Sequence, residues 1–156
     1  MLPILKTLLF TVLVPGTVAV YVPYRIARPT RPIEVSALGV VGMLMFACGA
    51  LIYLSCAWHF AWTGRGTPAP IDPPKVLIVR GLNRYVRNPM YIGVLTMILG
   101  LSALFTSPQV LYYGAFFFVA ANLFVLLYEE PALRKQFGAS YEEYLRTVPR
   151  WVPKLH

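Results

Sequence analysis

Arg84-Tyr85-Val86-Arg87-Asn88-Pro89-Met90-Tyr91-Ile92-Gly93 carries the chain out of a basic, proline-rich loop and into an apolar run. Asn88-Pro89 marks the change. Proline in the first turn of a helix leaves no amide unused, and an asparagine before it suits the N-cap, where its side chain can satisfy an orphan amide. Arg84 and Arg87 fall on the polar side of this boundary and Tyr91 on the apolar side, as expected where water meets lipid. The stretch reads as the entry to a membrane helix whose first amides favour any anion brought near them.

The composition of the 156-residue chain agrees, with 58% hydrophobic and 13% charged residues. That balance does not belong to a soluble globular domain. Four apolar runs, residues 7–24, 35–60, 90–105 and 110–128, approach the roughly 20 residues that cross a bilayer about 30 Å thick. The expected fold is an all-α integral membrane protein of about four transmembrane helices, forming one membrane domain over residues 1–156. Lys6 before the first run is a weak signal-peptide n-region and Thr17-Val18-Ala19 a poor cleavage site, so this run is read as a span. Pro15-Gly16 should kink it. In the second run Gly39, Gly42, Ala47, Gly49 and Ala50 would let helices approach where lipid offers no hydrophobic force between them. Cys48 and Cys56 share that helix about 12 Å apart, beyond disulfide reach, and read as small core residues.

A net charge of +8 raises the question of nucleic acid, but the basic residues are scattered through juxtamembrane loops rather than gathered on a basic domain. No nucleic-acid partner is expected; orientation and anionic membrane lipids explain the charge. With four spans, Lys6, Arg65, Lys75, Arg80, Arg84, Arg87, Arg134, Lys135, Arg146, Arg150 and Lys154 share one side, while Arg25, Arg28 and Arg31 occupy the other. By the positive-inside rule both termini should be cytoplasmic, together with the loop at 61–89 and the tail at 131–156.

Ser107-Pro108-Gln109 is a short turn, so the last two spans should run antiparallel as a hairpin. From Pro108, Tyr91 lies about 26 Å back and Glu129 about 32 Å forward along the helices, which returns both to one membrane face within roughly one helical turn. Glu129-Glu130 thus faces the opening stretch. Carboxylates at the end of an apolar run are either a solvated helix end or part of a site. Pro131 should break or bend the helix after them. The tail then reads as short amphipathic helices: residues 132–138 with a glycine stop, and a second through about Thr147 behind the Ser140 to Glu143 capping box. Trp151-Val152-Pro153 suits the interface. His59, among Trp58, Phe60 and Trp62, reads as a hydrogen-bonded interfacial residue, and no neighbouring ligands complete a metal site. Val76-Leu77-Ile78-Val79 is a short β-prone or interfacial run. The Pro/Gly-rich segment at 64–75 reads equally as a stiff linker or as a lid over a cofactor.

Arg84 to Gly93, then Glu129-Glu130, then Leu133, Phe137-Gly138, Tyr141, Tyr144 and Val148-Pro149 resemble, in order and spacing, the isoprenylcysteine carboxyl methyltransferase family and its bacterial relatives. The likeness extends more distantly to phosphatidylethanolamine N-methyltransferase and covers roughly residues 64 to 153. Asn88 stands where the isoprenylcysteine enzymes usually carry His, and the phospholipid enzyme also has Asn-Pro-Met-Tyr. The resemblance implies a transferase of the bacterial inner membrane that uses S-adenosylmethionine as cofactor. Its methyl acceptor would be lipid-like or lipophilic, a carboxylate, amine or thiol. Arg87, Asn88, Pro89, Tyr91, Gly93, Glu129 and Glu130 are the implied cofactor-binding residues, and Glu130, Tyr91 and Arg87 the implied catalytic ones.

The residue chemistry is compatible with that implication. A glutamate of the pair can hold an ammonium, while Arg87, Asn88 or helix-start amides can meet a carboxylate. If the acceptor needs deprotonation, Glu130, Tyr91 and His59 are the candidate bases. Two other readings compete. Sterol reductases carry an Arg-x-Pro-x-Tyr-x-Gly-like segment near a basic tail, though this chain is short for that class. A non-catalytic membrane protein could use the same stretch only to anchor a helix.

Overall fold

A computed structural model describes residues 2–28, 36–62 and 76–153. The Gly64 to Lys75 segment, with its linker and lid readings, lies outside the described residues, as do Arg31 and Lys154. Among the described residues there are helices and connecting turns but no strand, so Val76 to Val79 runs as irregular chain. The first span is built from α1 (Leu2–Leu13), a π-helical turn at Thr17–Tyr21 and α2 (Val22–Ala27). The second is α3 (Ala37–Trp62) and the third α4 (Pro89–Leu104). The fourth is α5 (Pro108–Phe124), which continues through a π-helical turn at Val125–Glu129 into α6 (Glu130–Phe137). The last helix is α7 (Ala139–Thr147). The runs Leu8–Ala27, Ala37–Phe60 and Pro108–Phe137 are long and apolar enough to cross a membrane, and α4 is a shorter apolar helix beside them. The protein is an all-α integral membrane protein.

Two prolines that should break helices do not. Pro23 and Pro131 each lie in the first turn of the helix that follows a π-helical turn. Proline lacks an amide and its ring clashes with the carbonyl four residues back; the wider turn relieves both demands, and the helix passes on as one rod. Pro15-Gly16 sits just before the first of these turns, within the irregularity that begins at Val14.

The tightest packing is between α3 and α4. A Cβ on Gly42 would lie 2.6 Å from the Gly100 carbonyl oxygen, and one on Gly49 2.5 Å from that of Gly93. The reciprocal distances, from Gly100 to Gly42 O and from Gly93 to Gly49 O, are 2.6 and 2.8 Å. The glycine pairs are spaced two helical turns apart on each antiparallel helix, so the backbones touch where no side chain could fit. Tyr53, Val94, Met97 and Ile98 fill the core beside this seam. Cys56 is buried on α3 and Cys48 exposed, both as free thiols.

The α4–α5 hairpin turns at Ser107, whose amide donates to Ser102 O at 2.9 Å while Ser102 Oγ donates to Ser107 O at 3.0 Å. In the tail, Gly138 takes φ +54° and ends α6, with nothing within 4 Å of the place a Cβ would occupy. The expected Ser140 capping box does not form. The chain resumes helix directly after Gly138, so Ser140 lies inside α7 rather than ahead of it. Tyr141, Tyr144 and Val148 pack with Leu77, Leu133 and Phe137 into a second, smaller core beside the entry to α4.

Candidate active site

The hairpin brings its two ends together as the spacing requires: Tyr91 Oη donates to Glu129 Oε2 at 3.0 Å. Arg87, two residues before the start of α4, donates from Nη1 to Glu130 Oε1 at 2.9 Å. The neighbouring glutamates therefore meet different partners. Glu130, buried at 5% exposure, has both oxygens taken, because Arg150 donates from Nε to Oε1 at 2.8 Å and from Nη2 to Oε2 at 3.0 Å. Glu129 accepts the Tyr91 hydroxyl and, among the described residues, meets no cation.

Asn88 stands at the N-cap of α4, but its side chain makes no capping bond. It turns instead to the tail, Nδ2 donating to Arg150 O at 3.3 Å. The Arg87 amide donates to Pro149 O at 2.9 Å, so the residues after α7 lie along the opening of α4. Asn83, buried in the turn at Gly81–Arg84, donates to Arg87 O at 3.4 Å and accepts the Tyr144 hydroxyl at 2.6 Å through its own carbonyl. Trp151 completes this layer: its Nε1 donates to Asn122 Oδ1 at 2.9 Å, and its ring meets Tyr91 edge-on with centroids 6.4 Å apart.

Part of this network lines a cavity of about 210 Å³. Arg87, Asn88, Pro89, Tyr91, Glu129 and Glu130 line one part of its wall, and Phe60, Leu77, Phe124, Leu133 and Phe137 line an apolar part. Within it Arg87 Nε is buried and has no hydrogen-bond partner. Such a donor costs roughly 1–3 kcal/mol if it stays unpaired, so it suits an incoming acceptor. Burial, then the Glu130 carboxylate, pushes the Tyr141 phenol up to about 12, with the Arg87 guanidinium opposing them. Burial likewise raises Tyr144, against the pull of its bond to Asn83. Both phenols stay protonated at physiological pH.

Two sequence candidates lie apart from the cavity. Gly93 faces α3, in backbone contact with Gly49, and does not line the wall. His59 packs its ring against Gly81, where a Cβ would come within 3.1 Å of it, and its Nδ1 is 2.7 Å from Ser55 O. Arg84 is exposed over the Tyr85 ring, 5.3 Å from its centroid. Conversely, Arg150, Asn83 and Trp151 belong to the site although nothing in their sequence context assigned them a role. Tyr141 and Tyr144 are among the residues that carry the family resemblance. Arg150 counted only as one more tail charge.

The phospholipid methyltransferase family model matches residues 38–140. The chain belongs to the phospholipid methyltransferase family. Membership and the apolar helices together make it a membrane methyltransferase of the lipid-directed kind. The match takes in α3, which by sequence resembled only a generic membrane helix, and ends before Pro149, Arg150 and Trp151. No curated protein and no solved structure matches the chain.

Proposed function

We propose that this phospholipid methyltransferase family member transfers the methyl group of S-adenosylmethionine to an amphipathic lipid or small lipophilic acceptor, at a site on the cytoplasmic face of the membrane. The reading rests above all on one observation: Glu129, a carboxylate that meets no cation among the described residues, and Arg87 Nε, a buried donor that meets no acceptor among them, line the same cavity.

The residues present fit the cofactor. Glu129 offers its carboxylate to the ammonium, and Tyr91 holds that carboxylate in place through its hydroxyl. Arg87 Nε, with the amides that open α4, offers donors to the carboxylate of the amino-acid moiety. Glu130 serves as the counter-charge that holds Arg87, since both its oxygens are occupied. S-adenosylmethionine supplies an already activated methyl group, so the protein's contribution is positioning and exclusion of water. Phe60, Phe124, Leu133 and Phe137 provide the water-poor wall and suit a greasy acceptor. The bias of basic residues toward the loop and tail side supports the cytoplasmic orientation.

Equilibrium binding of S-adenosylmethionine to the purified full-length chain in detergent tests this reading. Saturable binding is expected, and Glu129→Gln should weaken it by about tenfold or more, the equivalent of one charge-assisted contact. Absence of saturable binding by folded wild type, or unchanged affinity in Glu129→Gln, defeats the proposal. Methyl transfer from labelled cofactor into a lipid extract then identifies the acceptor.

A further inference from the structure

Residues after α7 make five hydrogen bonds across the site. The Pro149 carbonyl accepts from the Arg87 amide, the Arg150 carbonyl accepts from Asn88 Nδ2, the Arg150 guanidinium grips Glu130, and Trp151 Nε1 donates to Asn122. They therefore tie the entry of α4 to the α5–α6 rod. All of these tail residues fall beyond the family match, which ends at residue 140.

The charge arithmetic gives the guanidinium a particular consequence. Two arginines and two glutamates meet here, yet both arginines bond Glu130 and neither bonds Glu129. Arg150 supplies both of its bonds in a fork, one to each oxygen, and is the partner of Oε2. Arg87 thus meets Glu130 through Nη1 alone, and its Nε has no hydrogen-bond partner among the described residues. Without Arg150, Glu130 Oε2 would lose its donor inside a buried site, and Arg87 would be drawn to serve both oxygens. Its Nε would then be spent on the protein.

We propose that Arg150 is a positioning residue for cofactor binding: by saturating Glu130 it keeps Arg87 Nε available to the cofactor's carboxylate. It acts through Glu130 and Arg87. The inference rests on the S-adenosylmethionine reading above and assigns to the tail a share in selecting a cofactor that bears an amino-acid carboxylate.

The test compares S-adenosylmethionine with its decarboxylated analogue on the full chain in detergent, with helicity and thermal unfolding measured alongside. Wild type should prefer the carboxylated form. Arg150→Gln should lose about tenfold in affinity for it, one charge-assisted contact, while affinity for the decarboxylated form stays put. Arg150→Lys, which restores charge without the fork, should recover only part of the loss. If Arg150→Gln fails to fold, the pair Glu130→Gln and Glu130→Gln/Arg150→Gln carries the question, since removing Arg150 should cost nothing further once Glu130 is neutral. Equal loss for both ligands, unchanged affinity in Arg150→Gln, or an undiminished Arg150 effect in the Glu130→Gln background overturns the proposal. Failure of wild type to bind either ligand removes this inference and the function it rests on, whereas a binding wild type with an indifferent Arg150 removes this inference alone.

Discussion

The α3–α4 seam and the strapped end of the molecule solve the same problem, holding helices together, by opposite means. At the seam the contact is one of shape: glycines at 42, 49, 93 and 100 let two backbones meet directly. At the strapped end, arginines, a buried glutamate, asparagines and tyrosines from α4, α6, α7 and the tail bond one another around a cavity. The contrast follows from the surroundings. Inside lipid there is no hydrophobic gain in pairing helices, so shape must do it, and the smallest residue does it best. At the membrane surface, polar groups can be desolvated if each finds a partner, and a few left without one become the means of binding something else.

The largest break in this contrast is expected at the strapped end. Glu130→Ala leaves Arg87 and Arg150 facing each other without their carboxylate; loss of one partner from a buried charge cluster costs about 3–5 kcal/mol. Unfolding of the variant in detergent, titrated with a denaturing surfactant, measures it. A loss below about 1 kcal/mol would show that water already neutralises the site.

Next comes the seam. Gly100→Ala places a Cβ 2.6 Å from the Gly42 carbonyl oxygen and 2.7 Å from the Phe46 amide nitrogen. Backbone cannot swing aside as a long side chain can, so the helices must part, at a cost of about 1–3 kcal/mol typical of overpacking. Cofactor affinity should fall less than stability. The opposite order would mean that the seam transmits its register directly to Tyr91.

Smaller still is Tyr144→Phe, which removes the 2.6 Å bond to Asn83 O while keeping the ring in its cluster with Tyr141 and Val148. About 1 kcal/mol of stability is expected to go. The smallest effect belongs to Arg134→Ala. Its 2.9 Å bridge to Glu142 joins side chains that are 52% and 48% exposed, and such pairs contribute about 0–1 kcal/mol and fade with salt. A thermal shift beyond that of Tyr144→Phe would refute the division between buried and exposed polar contacts.

Much of this could be read from residue order alone, for physical reasons. Apolar runs of the right length force helices, because no other local structure satisfies the backbone within lipid. Asn88-Pro89 marks where α4 begins, and the short Ser107 turn makes α4 and α5 antiparallel, so the meeting of Tyr91 with Glu129 was a matter of counting at a fixed rise per residue. Gly138 ends its helix through a conformation that suits only glycine. Where local rules failed, another part of the chain had the stronger claim. Asn88 can cap a helix, but the Arg150 carbonyl takes its side chain. Pro131 can break a helix, but a widened turn lets it pass.

Tertiary structure alone decided which of two adjacent carboxylates is spoken for. Glu129 and Glu130 are identical in type and next to each other, and nothing in their neighbourhood along the chain tells them apart. About 100° of rotation between consecutive helical positions aims them at different neighbours: one at Tyr91, the other at Arg87 and at Arg150 from the far end of the chain. Residue order sufficed to bring a basic, aromatic stretch to a pair of acids through a membrane hairpin. The fold, by bringing Arg150 back across the site, pairs one acid with two arginines and leaves the other with no cation among the described residues, because charge pairing depends on distance in space and not along the chain.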